Sequence, residues 1–485
     1  MTPVSRTRSR IALLLAGCLV VSTTARAAID LPSMGEPADQ ALSPLEESKL
    51  GASVMRQLRR GGYVLDDPQL AEYLMATGRR LAAHSGANPS GFEFFFIRDN
   101  RINAFALPGG YIGINAGLLL TTQNESELAG VLAHEIAHVT QRHIARQIEA
   151  TQALNLATMA ALLVALIASG GSGDLAQAAL TLGISGIQQR QINFTRSHEL
   201  EADRVGIRIL ANAGYDPNGM ASFFQRMEEQ TRLYGDALPE ILRTHPVNIT
   251  RITEARSRAA GYAPVSPADE REYRLMQARL RVLSSAQVTD ALVYFQGRTQ
   301  EGGGIEADRY GLGLALLRAG RPEAARELFE ALLKEQPDQP HFRLELARAQ
   351  LAGQSPRQAL ETLEQAHTRF PRSLPIAATY AEALLRFNRP ADARRVILAA
   401  DGALGGSLPD MHRLLAVSAQ DLGWKAEALF RMAEYHHLQG DYNAAMNQLE
   451  AALRLPDINP NDKARVSAQL ETYRREAPTE AANPR

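Results

Sequence analysis

His134 and His138 stand four residues apart with Glu135 between them, the pattern in this chain best suited to metal chemistry. Residues four apart on an α-helix share a face, so both imidazoles can reach one ion. Glu135, adjoining His134, can take a proton from a water held at such an ion. The flanks, Glu127 to Ala133 and Val139 to His143, are helix formers without proline. Val131, Leu132, Ile136 and Ala137 make this helix a buried one, and a buried His-Glu-His cluster needs a partner. The competing reading is a solvated helix that carries these residues by chance; the apolar surroundings count against it.

A zinc peptidase uses a third protein ligand and keeps the fourth position open. Ser197-His198-Glu199-Leu200-Glu201-Ala202-Asp203 offers three candidates, His198, Glu199 and Glu201. Glu199 and Asp203 are four apart and can point from a second helix toward the first. Glu201 reads as a solvated helix charge, and His198 as a residue that caps or packs the helix start. Spacing by itself leaves all three open. Further on, Leu242-Arg243-Thr244-His245-Pro246 is a loop, because proline biases the residue before it away from helix.

His134-Glu135-x-x-His138 followed by Glu199-x-x-Ala202-Asp203 resembles the HtpX-type and CAAX-processing zinc endopeptidases. The segment Asn103 to Ile112 is similar to that family's edge-strand motif. Over nearly the whole chain the likeness extends to the periplasmic β-barrel assembly-enhancing proteases. This resemblance implies one Zn2+ per chain held by His134, His138 and Glu199, with Glu135 as catalytic base. It gives Asp203 the part of proton donor or of support for a metal-bound histidine. It makes His245 a regulatory fourth ligand: bound, the enzyme rests, and when its loop leaves, Glu135 can act. It also places Asn103, Gly109, Gly110 and Tyr111 beside the substrate, where a free strand edge could pair with an extended peptide. On the residues alone, Gly109 and Gly110 mark an ordinary turn.

The elements that must carry these residues can be read around them. Leu42 to Leu81 has helical spacing, with Ser43-Pro44-Leu45-Glu46 as cap and first turn. Phe92 to Ile97 and Tyr111 to Ile114 read as strands. Ala153 to Arg190 holds two apolar stretches around Gly170 to Asp174, each too short for a membrane span, which needs about 20 apolar residues. HtpX relatives span the membrane near this point; here a helical hairpin near the cleft is expected, able to touch a membrane or a client.

The last third repeats. Leu312, Gly313, Ala325, Phe329, Leu332 and Pro337 recur as Leu346, Ala347, Ala359, Leu363, Ala366 and Pro371, then as Tyr380, Ala381, Ala393, Ile397 and Ala400. The shift of about 34 residues is that of tetratricopeptide helix pairs. The register breaks near Gly405-Gly406-Ser407 and resumes at Ala445, Leu449, Ala452 and Pro456, for four to five repeats. Such solenoids present concave surfaces to protein partners.

With 485 residues and 45% hydrophobic content, two to three domains are expected, and a net charge of -1 gives no reason to expect nucleic acid. Arg6, Arg8 and Arg10, the apolar run Ile11 to Val21, and Ala25-Arg26-Ala27 form a secretory signal cleaved before Ala28. Leu15-Ala16-Gly17-Cys18 offers lipoprotein maturation as the alternative, and without it the mature chain has no cysteine. The expected plan is α+β: signal peptide 1–27, gluzincin-type zinc peptidase 28–262 with a small sheet, helical linker 263–304, all-α tetratricopeptide solenoid 305–475, and disordered tail 476–485.

Two functions fit this plan. One is a periplasmic zinc endopeptidase that degrades misassembled outer-membrane proteins and assists their assembly, meeting β-barrel proteins, their assembly machinery and the membrane surface. The other is an assembly factor or chaperone whose repeats do the work with little proteolysis.

Overall fold

The computed structural model describes residues 42–149, 156–169, 196–234, 239–263, 265, 270–300, 304–400 and 408–477. The expected signal peptide with Cys18, the glycine turn and second apolar stretch of the 153–190 hairpin, and nearly all of the expected tail lie outside these residues.

Helix α1 (Pro44–Arg60) opens on a capping box: Glu46 N–H donates to Ser43 Oγ at 3.3 Å and Ser43 N–H to the Glu46 carboxylate at 2.9 Å. Helix α2 (Pro68–Ala82) follows, capped by Asp67. Three strands form the sheet: β1 (Glu93–Ile97), β2 (Ala104–Leu107) and β3 (Tyr111–Asn115). Their order is β1-β3-β2; β1 runs parallel to β3 with Phe94 opposite Ile112, and β2 antiparallel with Ala104 opposite Ile114. β2 is therefore an edge strand.

Among the described residues, eight helices follow the sheet up to Ala259: α3 (Ala116–Thr121), α4 (Glu125–Thr140), α5 (His143–Glu149), α6 (Leu156–Ser169), α7 (Arg196–Asn212), α8 (Asn218–Tyr234), α9 (Glu240–Thr244) and α10 (Ile249–Ala259). α4 is buried on every side from Glu127 to His138, between β2, α7 and α8. Two glycines let those helices close on it. A Cβ at Gly206 of α7 would sit 3.1 Å from the His134 backbone nitrogen, and one at Gly130 of α4 would sit 2.8 Å from the Met220 nitrogen of α8. Larger residues there would push the helices apart. α6 lays Ala160, Leu163 and Ile167 against Leu50, Val54 and Leu58 of α1. No helix among the described residues is long and apolar enough to cross a membrane.

Helices α11 (Arg271–Ser284) and α12 (Val288–Gln300) lead into five helix pairs: α13 (Glu306–Arg318) with α14 (Pro322–Glu335), α15 (Pro340–Ala352) with α16 (Pro356–Arg369), α17 (Leu374–Arg386) with α18 (Pro390–Ala400), α19 (Pro409–Asp421) with α20 (Lys425–Leu438), and α21 (Tyr442–Leu453) with α22 (Pro460–Glu476). The repeated small and large positions are the buried ones, among them Ala325, Phe329, Ala359, Leu363, Ala393 and Ile397. At Gly313 a Cβ would lie 2.5 Å from the Phe329 ring, which is why a small residue recurs there.

The array does not project freely. Arg279 of α11 pairs with Asp67 at 2.6 Å and with Glu345 of α15 at 2.9 Å, and Gln69 of α2 donates to the same Glu345 at 2.6 Å. Leu374 N–H, opening α17, donates to Glu72 of α2 at 3.1 Å. Further along, Arg56 of α1 donates to the Tyr442 hydroxyl at 2.7 Å. Inner repeat helices thus bind the peptidase's first two helices rather than water.

Candidate metal centre

α4 brings His134 and His138 one above the other, and α7 crosses it with Glu199 and Asp203 on its facing side. The residue after α9 is His245. Ligand atoms of His134, His138, Glu199 and His245 all lie within 4.8 Å of one another, and all four side chains are buried. His134 Nε2 is 3.0 Å from His138 Nε2, each is 3.5 Å from a Glu199 oxygen, and His245 Nδ1 is 3.0 Å from Glu199.

The far sides of these groups are also held. His134 Nδ1 sits 3.0 Å from Asp203. Arg251 of α10, 1% exposed, reaches Asp203 at 2.7 and 2.8 Å and Glu199 at 2.9 Å, and donates to the Pro246 carbonyl at 2.8 Å. His138 Nδ1 meets His143 Nδ1 at 2.8 Å, and His143 Nε2 meets Glu201 at 3.2 Å.

Electrostatics follow from burial and these partners. Burial works against protonated His134, yet Asp203 and Glu199 raise its pKa to about 10. Burial, with His134 and His245 nearby, drives His138 well below the ordinary histidine value. Burial opposes ionised Glu199, but His245 and His134 outweigh it and hold the carboxyl well below its usual range. Burial raises the pKa of Glu135, with His245 and His134 pulling the other way. His143 is pushed down to about 4, chiefly by burial.

The donor set passes a direct fit test for zinc. Imidazole and carboxylate are ordinary zinc ligands, and the second nitrogens of His134 and His138 lie 3.0 Å from Asp203 and 2.8 Å from His143, the kind of support metal-bound histidines have. Glu135, fully buried, has both carboxylate oxygens without an aligned donor, and His245 Nε2 stands 3.6 Å away. A buried carboxylate left so is costly unless another group uses it. Beside it lies a cavity of about 10 Å³, room for about one water. Val131, Phe223, Phe224 and Met227 wall it on one side and Ile241, Leu242 and Val247 on the other.

Not every expected site residue meets in this cluster. Asn103 points its amide at Glu240, 2.9 Å away at the start of α9. Gly109 and Gly110 take positive φ, 78° and 86°, and press on the protein's own backbone. A Cβ at Gly109 would meet Ser48 at 2.7 Å, and one at Gly110 the Gly91 carbonyl at 2.1 Å. Their conformation is that of a tight turn. Tyr111 packs against Gly51 of α1. Glu201 and His198, left aside as solvated charge and helix-start packing, both contact His143, whose ring stacks on His198 at 4.4 Å. Arg251 and His143 carried no periodic signal: His143 lies beyond the end of α4, and Arg251 is one arginine among many.

Comparison with known proteins agrees with this geometry. The model of Peptidase family M48 matches residues 68–259, and tetratricopeptide-repeat models match residues 316–366, 351–417 and 426–459. A Vibrio cholerae protein bearing the name β-barrel assembly-enhancing protease is 35% identical over 473 residues, 96% of either chain. The β-barrel assembly-enhancing protease of Escherichia coli is 32% identical over 94% of this chain and 93% of its own. The mitochondrial metalloendopeptidase OMA1 of Schizosaccharomyces pombe is 35% identical over 180 residues, covering 37% of this chain and half of its own. A peptidase motif on crossing helices, followed by a tetratricopeptide solenoid, and end-to-end likeness place the chain in one family: it is a metallopeptidase of the β-barrel assembly-enhancing protease family.

Proposed function

We propose that this protein is a periplasmic zinc endopeptidase that acts on outer-membrane β-barrel proteins during their assembly and rests with His245 in the site. One observation carries the reading: His134, His138, Glu199 and His245 converge beside a buried carboxylate, Glu135, that has no aligned donor. The barrel proteins as clients, their assembly machinery as partner and the periplasm as location come from the relatives' names and the signal-like N-terminus.

His134, His138 and Glu199 would hold the ion. Bound zinc supplies Lewis-acid polarisation of the scissile carbonyl and the attacking water. Glu135 would act as general base toward an attacking water and return the proton to the leaving amine; its burial, which raises its pKa, suits both roles. Of the two parts open to Asp203, the geometry favours support: it holds His134 and is itself gripped by Arg251. The β2 edge, packed on α4, can align an extended peptide along the site; Gly109, Gly110 and Tyr111 would shape the turn at its end rather than touch the peptide. With His245 in place the cavity at Glu135 admits about one water and no peptide. That closed geometry also suits an assembly role in which the repeats work while the peptidase rests.

Zinc analysis of the purified protein, with casein cleavage by wild type and Glu135→Gln, tests the reading. The expected result is one zinc per chain in both and cleavage only in the wild type. Zinc missing from folded protein, or cleavage surviving in Glu135→Gln, refutes it.

A further inference from the structure

We propose that His143 and Glu201 are positioning residues that fix His138 in the one tautomer able to bind the metal. The proposal rests on the reading of His138 as a ligand. His138 turns Nε2 toward His134 and Glu199 and Nδ1 toward His143. If Nε2 is to give its lone pair to an ion, the ring proton must sit on Nδ1. At 2.8 Å from His143 Nδ1, that proton needs an acceptor, so His143 must carry its own proton on Nε2. Glu201 makes that choice: its carboxylate, 3.2 Å from His143 Nε2, can only accept. Arg146 holds Glu201 in place at 3.1 Å.

Reversal of the chain shows what is lost without Glu201. With the His143 proton on Nδ1, His138 would have to accept there and carry its proton on Nε2, aimed at the metal position. Each hydrogen bond in the row His138–His143–Glu201 thus has one direction compatible with metal, and a half-buried carboxylate sets it.

The backbone is bent to build this contact. α4 ends at Thr140, and Arg142 takes φ 51°, the left-handed region, which a non-glycine residue enters at a cost. That turn brings His143, fully buried, back under His138. The Arg142 guanidinium secures it on the Leu42 carbonyl at 2.8 Å and on Glu47 at 3.2 Å.

The test measures Zn2+ affinity of the full chain by competition with a chromophoric chelator, beside thermal melts of the metal-free proteins. His143→Phe keeps the ring and removes the acceptor; His143→Asn keeps a carbonyl oxygen where Nδ1 now lies; Glu201→Ala removes the group that sets direction. His143→Phe is expected to bind zinc about 10- to 100-fold more weakly, with His143→Asn within about threefold of wild type. Glu201→Ala is expected to weaken binding while its metal-free melt stays at the wild-type temperature. Wild-type affinity in His143→Phe or in Glu201→Ala, or equal weakening in His143→Phe and His143→Asn, overturns the proposal. If His143→Phe does not fold, the Asn and Glu201 variants still decide it. His138→Ala serves as control: wild-type zinc affinity there would mean that the ligand reading itself has failed.

Discussion

Arg251 donates two parallel hydrogen bonds to Asp203, from Nε at 2.7 Å and Nη2 at 2.8 Å, with both side chains buried. The same guanidinium reaches Glu199 and the Pro246 carbonyl, so one arginine joins Glu199, Asp203 and the loop after His245. Lysine cannot reproduce that fork. Arg251→Met would leave buried Asp203 and Glu199 with histidine partners only, at a cost of about 3–5 kcal/mol. The expected outcome is a clear fall in the urea midpoint for Arg251→Met and a smaller one for Arg251→Lys, with weaker zinc retention in both. A midpoint unchanged in Arg251→Met would show that the buried pair does not stabilise the domain.

His245 stands where it can occupy a coordination position, 3.0 Å from Glu199 and 3.6 Å from Glu135. His245→Ala should therefore raise casein cleavage. If roughly 90% of molecules rest closed, opening them all gains about tenfold. Turnover counted per bound zinc separates release of the site from loss of the ion. Unchanged or lower turnover in zinc-loaded His245→Ala would remove the resting role.

How far the centre could be read in the sequence depends on how local each relationship is. His134 with His138 and Glu199 with Asp203 are helix-periodic pairs, and periodicity survives folding, so both faces were legible. The repeat positions were legible for the same reason: Gly313, Ala325 and Phe329 obey a local spacing. The edge strand β2 was legible only through the family resemblance of Asn103 to Ile112. His143 depends on a single left-handed residue, Arg142, that no composition rule marks. Arg251 depends on where α10 lands against α7, a tertiary event. The docking of α2 on the repeats was equally hidden, because Gln69 and Glu345 are ordinary helix-surface residues until each buries the other.

That docking makes its own prediction. Arg279 is 4% exposed and neutralises Asp67 and Glu345 together. Arg279→Leu removes the one guanidinium that Asp67 and Glu345 share, leaving Asp67 its α2 cap and Glu345 its Gln69 and Arg348 contacts; it should cost about 3–5 kcal/mol and loosen the repeats from α2. Limited trypsin digestion should then cut between the peptidase and the repeats, where the wild type resists, and the melting transition should broaden or split. Digestion identical to wild type would mean that apolar packing of α11 and α17 suffices to hold the junction.

Glu240 opens α9, the helix that leads into His245, and its carboxyl accepts from Asn103 at 2.9 Å and lies 3.4 Å from Arg101. Ile241 N–H also donates to the Ile102 carbonyl at 3.0 Å, so α9 is docked on the segment that leads into β2. Burial pushes the Glu240 pKa up to about 7 from 4.5; Arg101 and Arg243 oppose the rise and Asp99 adds to it. A carboxyl raised on folding contributes stability that is full below pH 4.5 and is lost as pH rises through 7. Glutamine stays neutral throughout, so Glu240→Gln should melt with the wild type near pH 5 and above it near pH 8. The gap at pH 8 should be on the order of 1 kcal/mol, because Arg101 and solvent screen part of the shift. By holding α9 in its dock, the same change should lower casein cleavage at pH 8 and leave it unaltered near pH 5. A melting gap that stays constant from pH 5 to 8 would show that Glu240 is ionised throughout and does not govern how α9 holds His245.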